Sequence, residues 1–61
     1  MNKSEITSEL FNRIVTVDTK VDEIKETEHY RQYTYYIDGV YLIKSESFNG
    51  YTNYYIYDIN N

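Results

Sequence analysis

Two glycine-containing dipeptides, Asp38-Gly39 and Asn49-Gly50, stand eleven residues apart in the part of the chain that holds all nine tyrosines, and no other feature constrains the fold as strongly. Asp-Gly and Asn-Gly suit the φ > 0 positions of two-residue hairpin loops, where glycine has no Cβ to clash. Set between runs rich in Tyr, Ile, Val and Thr, they signal successive hairpins. Residues 30–59 therefore read as three antiparallel strands, over about 30–38, 40–48 and 51–59.

Loop length fixes register, and register assigns every side chain to a face. A two-residue loop at Asp38-Gly39 sets Ile37 opposite Val40, Tyr35 opposite Leu42, Tyr33 opposite Lys44 and Arg31 opposite Glu46, the last pair being opposite in charge. A two-residue loop at Asn49-Gly50 sets Phe48 opposite Tyr51, Lys44 opposite Tyr55, Leu42 opposite Tyr57 and Val40 opposite Ile59. One face then carries Tyr35, Ile37, Val40, Leu42, Phe48, Tyr57 and Ile59, the expected core. The other carries Tyr36, Tyr41, Ile43, Tyr54 and Ile56 among Gln32, Thr34, Ser45 and Thr52. One more residue in either loop exchanges the faces of the neighbouring strand.

Upstream, Ile6, Leu10, Phe11 and Ile14 follow helical spacing, with Ser4 placed to cap the amino end and Glu5 in the first turn. This predicts a helix over about 4–13. Val15, Val17, Thr19 and Val21 alternate with polar residues and predict a strand over about 14–22. A helix continuing through Val17, Val21 and Ile24 is the rival reading, and the β-branched run favours the strand. A five-residue loop at 25–29 would place Val15, Val17 and Val21 on the core face. The expected fold is α+β: a short N-terminal helix packed on a three- to four-stranded antiparallel meander. The absence of proline and of any Ser/Gly-rich linker makes residues 1–61 one expected domain.

A chain of 61 residues buries only about 60% of its unfolded surface, so its core needs help. There is no cysteine, which removes disulfides and thiolate metal sites, and the single histidine, His29, cannot build a histidine-rich one. Oligomerisation or partner binding is the remaining staple. One short helix cannot cover both faces of a sheet, and Tyr36, Tyr41, Ile43, Tyr54 and Ile56 are too apolar for an ordinary wet face. They are the expected interface, with a homodimer as the first expected use.

Ten carboxylates against six Lys and Arg give a net charge of −4, which disfavours nucleic acid and anionic membranes and suits a basic partner protein. Asp22, Glu23, Glu26 and Glu28 cluster around Lys25 without the spacing of a calcium loop, so they are contact candidates for that basic surface rather than metal ligands. Tyr36, Tyr41 and Tyr54 could stack bases. In this register, however, Arg31 and Lys44 turn toward the core face and leave mainly Lys20 to meet phosphates. Ser45, Ser47 and Thr52 have no oriented base beside them in sequence, and no glycine loop cradles phosphate; no catalytic residue, cofactor or metal is expected. The segment MNKSEITSELFNRI contains no apolar stretch of signal-peptide or membrane length, so a cytoplasmic location is expected.

Acidic, free of Cys, Pro and Trp, and loaded with Tyr, Ile, Asn and Lys, the chain resembles in composition the small accessory proteins of bacteriophages and mobile elements from AT-rich bacteria. That resemblance implies a stoichiometric inhibitor of a host enzyme or antiviral defence, acting in the host cytoplasm; several such proteins are dimers built on a small sheet. It assigns no functional residue. The expected function is thus a non-enzymatic protein-interaction module that inhibits or regulates a host nucleic-acid enzyme. A single-stranded nucleic-acid-binding module and a structural subunit of a larger assembly are the alternatives.

Overall fold

The computed structural model describes residues 2–58. They form β1 (Asn2–Ile6), α1 (Ser8–Ile14), β2 (Glu23–Glu26), β3 (Tyr30–Ile37), β4 (Val40–Ser47) and β5 (Thr52–Asp58). The strands make one antiparallel sheet in the order β1-β5-β4-β3-β2. The architecture is α+β in the broad sense, with five strands where three or four were expected.

The first hairpin has the predicted register. Asp38 and Gly39 both take positive φ, +49° and +86°, as a two-residue loop of this hand requires. Ile37 pairs with Val40, Tyr35 with Leu42 and Arg31 with Glu46. The second hairpin differs by one residue. Gly50 N–H donates to the Ser47 carbonyl at 3.0 Å and Ser47 N–H to the Tyr51 carbonyl at 2.7 Å, so Phe48-Asn49-Gly50 is a three-residue loop with Gly50 at φ +96°. That is the loop in which glycine occupies a left-handed bulge position. The consequence is a shift of β5: Leu42 faces Ile56 and Lys44 faces Tyr54, while Ile43 faces Tyr55 and Tyr41 faces Tyr57. Tyr54 and Ile56 therefore lie on the face with Leu42, and Tyr55 and Tyr57 on the opposite one. Phe48, expected in the core, is exposed in the loop. The expected pairing of Val40 with Ile59 falls outside the described residues; Val40 pairs with Asp58.

The amino-terminal half departs further. Thr7, not Ser4, caps the helix, its hydroxyl accepting from Leu10 N–H at 3.1 Å, and the helix runs over Ser8–Ile14. Residues 2–6 instead pair with β5, setting Ser4 opposite Ile56 and Ile6 opposite Tyr54. No strand forms over 14–22. With β1 on one edge of the sheet and β2 on the other, α1 and residues 15–22 must carry the chain across four interstrand spacings, roughly 19 Å. Thr16–Thr19 closes a turn on the way, with Thr19 N–H donating to the Thr16 carbonyl at 3.0 Å, and Val17 stands fully exposed at its tip. The predicted loop at 25–29 shrinks to Glu28-His29. The Thr27 hydroxyl accepts from the amides of His29 and Tyr30 at 3.1 and 3.2 Å, closing that turn.

The helix covers only the middle of one face. Phe11, 3% exposed, is the anchor: its ring meets Tyr54 at 4.7 Å and Tyr35 edge-on at 5.8 Å, with Leu42, 0% exposed, on the sheet among them. Leu10 and Ile14, the rest of the helical stripe, remain 40% and 36% exposed. Among the described residues no helix is long and apolar enough to cross a membrane.

Candidate binding surface

Because Leu42 points under the helix, its neighbours Tyr41 and Ile43 on β4 must point away from it, to the open side of the sheet. Register then brings Thr34 and Tyr36 of β3 and Tyr55 and Tyr57 of β5 to the same side. Ile43, with no helix above it, is still only 7% exposed. It sits on the central strand opposite Thr34 and Tyr55, with Tyr36, Tyr41 and Tyr57 around it, and the tyrosines serve as its cover. Tyr36 and Tyr41 face each other across the strands with ring centroids 5.0 Å apart at 41°.

These side chains enclose a groove of about 400 Å³, with Ile43 and Thr34 on the floor and Tyr36, Tyr41 and Tyr57 as walls. Asp22 and Glu23 close one end. Their positions follow from the way β2 begins. The Asp22 amide donates to the Thr34 carbonyl at 2.8 Å, and the Asp22 carboxylate accepts the next free amide along β3, that of Tyr36. A side chain thus continues the ladder where the backbone of β2 has ended. Glu23, opposite Thr34, takes the same side as Tyr36 and is exposed.

Charge divides between the faces. On the helix side Arg31 binds Glu26, and Lys44 binds Glu46 at 3.0 Å. Hydrogen bonds donated to Tyr33 and Glu26 push the Arg31 guanidinium above its ordinary pKa, and the bond to Glu46 raises Lys44 likewise. The expected opposition of Arg31 and Glu46 holds in register, although each side chain takes a different ionic partner. The open side carries Lys25 on β2 and Lys3 on β1, the Lys3 ammonium lying 4.1 Å from the centroid of the Tyr55 ring and 5.9 Å from that of Tyr57. No Lys, Arg or His lines the groove.

The predicted interface set is accordingly divided. Tyr36, Tyr41 and Ile43 come together on the open face, whereas Tyr54 and Ile56 lie on the helix-covered face and Tyr55 and Tyr57 replace them. The acidic set divides too: Asp22 and Glu23 flank the groove, Glu26 is paired with Arg31 on the other side, and Glu28 is exposed in the β2–β3 turn. Ser47 Oγ accepts from Asn49 N–H at 3.2 Å, a loop contact. The signal for the true register was present in the sequence, since it sets Ile56 against Leu42 and so brings aliphatic residues together under the helix. Lys3 could not be placed without β1. Comparison with protein-family models, with curated proteins and with solved structures finds no match.

Proposed function

We propose that this protein is a non-enzymatic interaction module that binds another protein through its open, tyrosine-lined sheet face. In its most specific form it is a stoichiometric inhibitor or regulator, of the phage anti-defence kind, directed at a host enzyme that handles nucleic acid. The observation that carries this reading is the groove around Ile43: a floor of Ile43 and Thr34, tyrosine walls and a carboxylate end on a face that no element of the described residues covers. Tyrosine suits such a surface because its ring buries well while its hydroxyl keeps a hydrogen bond, and a few buried aromatics carry most of the energy of many interfaces. The flanking carboxylates favour a basic partner and speed the encounter. They disfavour a phosphate backbone at the same place.

The test compares three tagged forms of the chain in affinity capture from bacterial lysates, with stoichiometry measured on the purified complex. Tyr36 is 49% exposed, so Tyr36→Asp alters the face with little cost to the fold. Phe48→Ser alters an exposed aromatic in the distant loop. A partner held one to one by wild type and by Phe48→Ser, and lost by Tyr36→Asp, is the expected result. Equal loss in both variants, equal retention in both, or retention of single-stranded nucleic acid in place of a protein would refute it.

A further inference from the structure

We propose that the groove around Ile43 is a receptor for an arginine side chain presented by the partner, an assignment that rests on the open face being the interaction surface. At about 400 Å³ the groove lies in the lower part of the range typical of small-ligand sites, roughly 300–1,000 Å³. It suits one long side chain better than a bundle of them.

Its chemistry selects among side chains. Ile43 and the rings of Tyr36, Tyr41 and Tyr57 favour an aliphatic stem and a flat group that can stack. Asp22 and Glu23 at the end favour a positive charge, because an apolar guest would displace water from these carboxylates and supply no counter-charge. An anion would be repelled. Between the two cationic side chains, arginine fits better: its planar guanidinium stacks on aromatic faces and its fork meets carboxylates bidentately, whereas the lysine ammonium is compact and strongly hydrated.

Two further observations point the same way. The ion pairs of this protein occupy Glu9, Glu26 and Glu46, with Arg13, Arg31 and Lys44, while Asp22 and Glu23 have no cation among the described residues. Lys25, two residues from Glu23 on the same side of β2, lies outside the groove lining. The open face also already holds one cation on its rings, Lys3 at 4.1 Å from Tyr55. The groove shares one of those rings, Tyr57, which lies 5.9 Å from the Lys3 ammonium, and adds the negative charge of Asp22 and Glu23 at its other end. Asp22 is oriented in advance by its bond to the Tyr36 amide, so little ordering is needed when a guest arrives.

The experiment is a titration of the full ¹⁵N-labelled chain with acetyl-Gly-Arg-Gly-amide, followed by amide chemical shifts. The same peptide with citrulline, which keeps the shape and loses the charge, and with lysine serve as comparisons. Expected are saturable shifts at Thr34, Tyr36, Tyr41, Ile43 and Tyr57, with binding weaker for lysine than for arginine and about tenfold weaker than arginine for citrulline. The exposed Glu23→Gln should fold as wild type and bind arginine several-fold less tightly. Citrulline equal to arginine, lysine equal or tighter, shifts centred on Glu26 and Glu46, or no saturable shift would each overturn the assignment. Failure here is separable from failure of the interaction face. If Tyr36→Asp abolishes partner capture while the arginine peptide moves nothing, the face stands and the arginine assignment falls.

Discussion

Asp22 shows how one carboxylate can finish what a short strand leaves undone. The backbone of β2 supports the ladder only as far as Thr34, and without a partner the Tyr36 amide would face the groove unbonded. The Asp22 side chain accepts it, a charged acceptor for a neutral donor, and in doing so orients itself at the groove mouth. Such bonds contribute roughly 1.5–3 kcal/mol, less where water can replace them. Asp22→Ala should therefore lower the unfolding free energy by about 1 kcal/mol in urea, at this partly wet site, and speed hydrogen exchange at Tyr36 more than at Thr34. A variant with unchanged exchange at Tyr36 would show that the carboxylate is dispensable there. Nothing in the local sequence marks this role: Asp22 reads as one of four clustered acids, and only the end of β2 beside Tyr36 separates it from Glu26, whose partner is Arg31.

At the scale of elements, a single loop residue decides which tyrosines meet the solvent. Asn49-Gly50 and Asp38-Gly39 look alike in sequence, yet the first belongs to a three-residue loop and the second to a two-residue one. Side chains alternate with period two, so this difference transfers Tyr55 and Tyr57 to the open face and brings Ile56 against Leu42. The observed register sets the half-buried Ile56 against Leu42 and brings Tyr54 to Phe11, where a two-residue loop would set Tyr57 against Leu42. Gly50 makes the loop possible at φ +96°, with open space where a Cβ would stand. Gly50→Ala should thus destabilise by about 1 kcal/mol through backbone strain alone, and Gly50→Asn by less, both read from urea unfolding midpoints. Equal stability of Gly50→Ala and wild type would remove the argument for a left-handed bulge. The helix was legible as an amphipathic stretch, but its start was not, because Ser4 and Thr7 are both competent caps and the pairing of residues 2–6 with β5 selects the second.

Over the whole molecule the extents are 32 × 26 × 20 Å, the thinnest dimension being about that of one sheet and one helix. Only Phe11, Leu42 and Ile43 are buried among the described apolar side chains, so the fold rests on a very small core supported by ladder hydrogen bonds. β1 matters disproportionately in such a molecule. It covers the outer edge of β5 and leads directly into the helix that brings Phe11 onto the sheet. Deleting residues 2–6 should abolish the cooperative thermal transition or produce associated species, because an unpaired β5 edge is a template for another strand. Circular dichroism melts with light scattering would detect either result. A monomeric deletion that melts as wild type does would show that the edge needs no cover.

By itself the sequence determined the β-rich, tyrosine-bearing half, the Asp38-Gly39 hairpin with its register, the helical propensity around Leu10 and Phe11, and the excess of negative charge. These depend on neighbours in the chain: turn chemistry, periodicity and composition. Tertiary structure alone decided that residues 2–6 form a strand, that 15–22 cross the sheet, and that Tyr55 and Tyr57 rather than Tyr54 and Ile56 join Tyr36, Tyr41 and Ile43 on the open face. Each of these depends on a partner distant in sequence. A strand edge is satisfied only by what reaches it, and a face is buried only by what lies above it.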